Sequence, residues 1–169
     1  MVKKIKRWFT HAFTPPWRQR VLFPKTTLKA IEIAIQQSEA KHSGELRFAI
    51  ENTLTSQQIW HGISSYQRAL ELFAKLHVWD TEHNSGVLIY LLLAERTVHI
   101  IADRGINKRV TQNQWDEIAH AMQNEFRLGD FQRGSLLGIE RITVLLASHF
   151  PTTTDKINEL PNAPVIVQE

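Results

Sequence analysis

Residues 82–105 begin with Glu-His-Asn-Ser-Gly and end with Asp-Arg-Gly. Glu82, Asn84 and Asp103 offer the oxygen ligands that a hard divalent cation such as Ca2+ or Mg2+ takes. Ser85 is a hydroxyl nucleophile, and the Arg104 guanidinium matches a phosphate. Between these polar ends, residues 87–93 and 98–102 are apolar runs around a polar turn at 94–96, a pattern that predicts a β-hairpin. A hairpin sets the start of its first strand beside the finish of its second. Residues about twenty positions apart thus become one polar mouth on an apolar sheet.

A second strand reaches the same place. In residues 45–51, Leu46, Phe48 and Ile50 alternate with Glu45, Arg47, Ala49 and Glu51, which predicts a strand with one buried face. A helix from Ser64 or Ser65 to about His77 separates this strand from the hairpin, and strand–helix–strand units are normally right-handed parallel crossovers. The N-terminal ends of the two strands then lie together, bringing Glu45 to the mouth and leaving Glu51 at the far end. A helix capped by Thr111 begins at the same end, where its free N–H groups favour an anion. The candidate metal ligands are Glu45, Glu82, Asn84 and Asp103, with Asn107. The candidate catalytic groups are Asp103, Ser85 and Arg104. Arg104 and Arg47 suit a phosphate clamp or ion pairs with Asp103 and Glu45. The plainer reading of the acids and asparagines is loop solvation and turn capping. The chain holds no H-E-x-x-H, P-loop, G-x-G-x-x-G or G-x-S-x-G pattern, and its eight histidines include no pair at i, i+4.

Further helices are predicted from Thr26 or Thr27 to about Lys41, from Thr111 to about Phe126, and over about 131–149. Residues 52–63 read as a polar connection. The predicted fold is α/β: a three-layer α/β/α sandwich whose small mixed sheet has two parallel strands plus an antiparallel hairpin strand, flanked by helices. Three segments are expected: a basic amphipathic arm at 1–24, the α/β domain at 25–151, and an extended tail at 152–169.

The chain has 169 residues, 43% hydrophobic and 22% charged, as in ordinary soluble domains. It contains no cysteine, which excludes disulfides, thiolate metal sites and a thiol nucleophile. Neither a secretory signal nor an apolar run of about 18–20 residues is seen. The net charge of +3 is uneven, because residues 1–31 hold eight lysines and arginines and no acid. Within them, Lys3, Lys4, Lys6, Arg7, Trp8 and Phe9 form a basic-aromatic helix suited to an anionic membrane surface. Folding back onto the domain, or disorder, is the favoured plainer reading, the membrane surface comes second and nucleic acid last.

Five motifs follow in order: Ser-Gly-Glu-Leu-Arg-Phe-Ala-Ile (43–50), Ala-Leu-Glu-Leu-Phe-Ala-Lys-Leu-His-Val-Trp (69–79), Asn-Ser-Gly-Val-Leu-Ile-Tyr (84–90), Val-His-Ile-Ile-Ala-Asp-Arg-Gly-Ile (98–106) and Met-Gln-Asn-Glu-Phe-Arg-Leu-Gly-Asp-Phe (122–131). Over about residues 28–150 the chain resembles the TPM domain, shared by a thylakoid protein of photosystem II repair and many small bacterial proteins. His-Phe-Pro (149–151) and Asn-Glu-Leu-Pro (158–161) resemble its short proteobacterial version. The resemblance implies an α/β/α sandwich, and relatives have been credited with acid phosphatase activity and with binding a divalent cation, calcium above all. Relatives often have Asp-Asn-Gly where this chain has Asn84-Ser85-Gly86, and Gly-x-Gly where it has Asp103-Arg104-Gly105. Losing a carboxylate weakens a hard-cation site.

The expectation is a cytoplasmic binding module, peripheral to the inner membrane, with an unidentified protein partner and Ca2+ or Mg2+ as candidate ion. A metal-assisted phosphatase at the mouth and peripheral membrane association through the arm are the alternatives.

Overall fold

The computed structural model describes residues 2–152 and 158–168, with side chains from Lys4 onward. The Lys3 side chain, expected to meet a membrane, thus lies outside the described residues. The elements in chain order are α1 (Val2–Ala12), α2 (Arg18–Leu22), α3 (Lys25–Glu39), β1 (Glu45–Glu51), α4 (Ser56–His61), α5 (Ser65–Lys75), β2 (Gly86–Leu92), β3 (Thr97–Ala102), α6 (Arg104–Asn107), α7 (Gln112–Arg127), α8 (Phe131–His149) and β4 (Val165–Val167). The sheet order is β3-β2-β1-β4. β1 runs parallel to β2 and to β4, and β3 is antiparallel to β2. The expected α/β class, parallel crossover and hairpin are all present. The sheet gains a fourth strand, because the β-branched run at 165–167 of the tail, expected to be extended but unpaired, pairs with the second edge of β1 at Ala49–Glu51.

Alternation along each strand feeds two cores. Leu46, Phe48, Ile50, Val87, Ile89 and Leu91 pack with Ile31 and Ile35 of α3, Trp115 of α7 and Ile142 of α8. Ala49, Leu88, Tyr90 and Leu92 meet Ala69 and Leu72 of α5, Ile59 of α4 and Leu160 of the tail. β1 therefore differs from the one-faced strand its alternation predicts, since all seven of its residues are buried. Its charged positions are tolerated there because each meets a polar partner, the condition for burying charge.

Two helices carry the start signals read from sequence. Ser64 accepts from the Gln67 N–H at the start of α5, and the Gln114 side chain accepts from the Thr111 N–H at the start of α7. α3 starts two or three residues earlier than expected, after Pro24, and Thr27 turns inward to donate to Gln132 at 3.0 Å. The supposed connection at 52–63 contains α4, closed by a Thr55–Gln58 capping box and by Gly62 at φ 78°. At the foot of β2, Gly86 is required by close approach. A Cβ there would sit 1.8 Å from the Val78 carbonyl oxygen.

Candidate functional site

Backbone hydrogen bonds assemble the mouth at the N-terminal ends of β1 and β2. Glu45 N–H donates to Ser85 O at 3.0 Å, Asp103 N–H to Gly86 O at 2.9 Å, and Gly105 N–H to Asn84 O at 3.1 Å. Asn84 takes a left-handed conformation at φ 52°. Its side-chain oxygen accepts from Arg104 Nε at 2.9 Å, so the arginine occupies a ligand oxygen. Asp103 caps α6 through Oδ1, which accepts from the Arg104 N–H at 2.6 Å, while its Oδ2 is buried without a hydrogen-bond partner. Asn107 donates to Ala102 O at 2.7 Å.

The other mouth residues are turned elsewhere. Ser85 is buried and its hydroxyl donates to Ser43 O at 3.3 Å. Glu45 is 1% exposed, and Oε2 accepts from the Leu160 N–H at 3.3 Å, under the tail. Arg47 donates to the carbonyls of Pro161 and Ala163. Burial lowers its pKa, with Glu39 opposing. Glu82 is exposed and its N–H is taken by the Glu159 carboxylate at 2.9 Å. Among the described residues, no group of three or more His, Asp or Glu side chains is placed to hold a metal ion.

A denser polar cluster lies at the far end of β1. The Glu51 carboxylate, 2% exposed, accepts from Arg68 Nη2 at 2.8 Å and from the Tyr90 hydroxyl at 2.5 Å. Burial, then the Glu51 charge and hydrogen bond, push the Tyr90 phenol well above its ordinary value. The sequence places Glu51 at the far end but carries no spacing signal for its partners, which lie 17 and 39 positions away.

The arm splits into two faces. On the inner one, Glu95 of the hairpin turn accepts from Arg7 Nε at 2.6 Å and from His11 Nε2 at 2.9 Å. His11 Nδ1 accepts the Leu54 N–H at 2.9 Å, so its proton sits on Nε2, facing Glu95. Burial would raise the Glu95 pKa, but the hydrogen bonds from His11 and Arg7 outweigh it and hold the carboxyl below its ordinary range. Trp8 donates to Ser56 Oγ at 3.2 Å, and Lys4 to Trp60 O at 3.2 Å. The outer side carries Ile5, Phe9, Phe13, Trp17 and Val21, which are 40% to 78% exposed and recur every fourth residue. Phe9 and Phe13 stack with centroids 5.8 Å apart. Lys6, Arg20 and Lys25 of the same segment are exposed, and Arg18 is half-buried.

The model of the TPM domain matches residues 18–145. The BA42 protein of the psychrophilic bacterium Bizionia argentinensis, solved by NMR, is 36% identical, with a TM-score of 0.75 over 84% of this chain and 93% of that one. The N-terminal domain of a P. gingivalis protein shares the fold at 19% identity, with a TM-score of 0.59 over 76% of this chain and 79% of that one. A search of curated proteins finds no match. On the family match and the likeness to BA42, the chain belongs to the TPM domain family.

Proposed function

We propose that this TPM domain is a non-enzymatic binding module that docks on an anionic membrane surface through the outer side of α1 and α2, where it meets a protein partner. One observation carries the reading. Phe9, Phe13, Trp17 and Val21 are exposed among cations, in a segment of 31 residues that holds no acid. Aromatic side chains partition into the headgroup region, and each nearby lysine or arginine adds about 1 kcal/mol on an anionic leaflet. The set differs from the one read in sequence. Arg7 and Trp8 face the domain, while Phe13, Trp17 and Val21 face out. Sedimentation with phosphatidylglycerol vesicles tests it. Phe13→Ser with Trp17→Ser should abolish pelleting, and pelleting equal to wild type would refute the reading.

A divalent cation at the mouth is the second reading, supported by the buried, unpartnered Asp103 Oδ2. Calcium or magnesium would bind there weakly, at about 10⁻⁴ to 10⁻³ M, because Arg104 takes an Asn84 oxygen and Glu45 bonds to the tail. Millimolar calcium should raise the melting temperature of wild type but not of Asp103→Asn. A metal-assisted phosphatase would need that cation to activate water. Phosphate esters left intact with and without metal would remove that alternative.

A further inference from the structure

We propose that a crevice between α2, the carboxyl end of β2 and helices α7 and α8 binds the phosphate of an anionic amphiphile, and that on the membrane this phosphate is a phospholipid headgroup. Arg18 of α2, Arg96 of the hairpin turn and Arg127 at the end of α7 line one cavity of about 160 Å³, with Gln123 beside them. No acidic side chain lines it. Among the described residues none of these three arginines is ion-paired, and Arg127 donates only to the neutral Asn124 oxygen, at 2.8 Å. By contrast, Arg7 is paired to Glu95, Arg68 to Glu51 and Arg133 to Glu125.

Three unpaired cations at one crevice repel each other, and an anion relieves that repulsion. Guanidinium groups take phosphate oxygens bidentately, which lysines do not. Arg96 holds its place at φ 54°, a conformation that turns usually give to glycine or asparagine. Apart from Gln123, the rest of the lining is apolar, from Leu22, Leu91, Leu93, Phe126 and Phe131. Bare phosphate would leave that apolar lining unused, whereas an ester with a hydrocarbon arm covers it. The position is also where open α/β sheets take ligands, outside the carboxyl ends of their parallel strands. The lipid source rests on the membrane reading above, since Arg18 shares α2 with exposed Val21. The anion chemistry does not.

The test uses the full chain in three arms, titrated with inorganic phosphate and with hexyl phosphate by amide NMR shifts, and pelleted with phosphatidylglycerol vesicles. Hexyl phosphate should saturate and shift Leu22, Gln123 and Phe126. Arg96→Gln and Arg127→Gln should each weaken it by about tenfold, while Arg20→Gln, outside the crevice, leaves it unchanged. Loss of pelleting with hexyl phosphate binding intact would overturn the docking face and the lipid source but support the anion site. Inorganic phosphate binding as tightly as hexyl phosphate would overturn the amphiphile. Absence of saturable binding by either, in protein whose melting temperature is unchanged, would overturn the site.

Discussion

Glu95 is the residue on which the placement of the arm turns. It gathers Arg7 and His11, and His11 passes the connection to the Leu54 backbone. Hydrogen bonds to a charged group are worth about 1.5–3 kcal/mol each, so Glu95→Gln should lower stability by about 2 kcal/mol. Exchange of the Leu54 amide should speed up in that variant, and an unchanged rate would sever the link from Glu95 to Leu54. Acid should act on the same group. The folded pKa of Glu95 is depressed below the ordinary value of 4.5, so its contribution is complete above that pH. It fades as pH falls through the folded value, and Glu95→Gln should lose this acid dependence. Glu51 behaves differently because it is sealed in. Arg68→Met leaves a buried carboxylate without its cation and should cost about 3–5 kcal/mol in chemical denaturation. Tyr90→Phe removes one hydrogen bond and should cost about 1–2 kcal/mol. Equal costs would mean that the pair is not the keystone of that cluster.

At the scale of elements, the tail acts as a fourth strand and a cover. Removing residues 158–169 strips β4 from β1, the Leu160 N–H from Glu45, and two carbonyls from Arg47. The loss should reach at least about 3 kcal/mol, read as a lowered melting temperature, and no change would show that the tail merely lies on the surface. The sequence foretold the hairpin, the parallel crossover, α5, α7 and α8, because each has its own hydrophobic pattern, and α5 and α7 a start signal as well. It did not foretell β4, since a strand of three residues has no period and its partner edge lies more than 110 positions upstream. α4 was legible in Thr55-Ser56-Gln57-Gln58, a capping box that a polar composition hid. The mouth was legible as a juxtaposition, since strand polarity fixes which ends meet. Its chemistry was not. Alternation shows that Glu45 and Arg47 share a face, but only packing shows the tail covering that face.

Over the whole molecule, charge and burial divide the labour. The sheet is packed on both faces, so new partners meet its ends and the exposed helix surfaces, the outer side of α1 and α2 among them. Of these, the outer side combines exposed aromatics with a basic segment free of acids, and the arginine crevice opens beside it. Surface electrostatics of this kind are screened at a Debye length of about 8 Å at physiological salt. Docking should therefore weaken in high salt, whereas a purely apolar contact would not. The most direct measurement is the fraction of protein pelleted with phosphatidylglycerol vesicles against phosphatidylcholine vesicles, for wild type and for Phe13→Ser with Trp17→Ser. The account predicts pelleting only with phosphatidylglycerol and only for wild type. Equal pelleting of both proteins, or none of wild type, would contradict it.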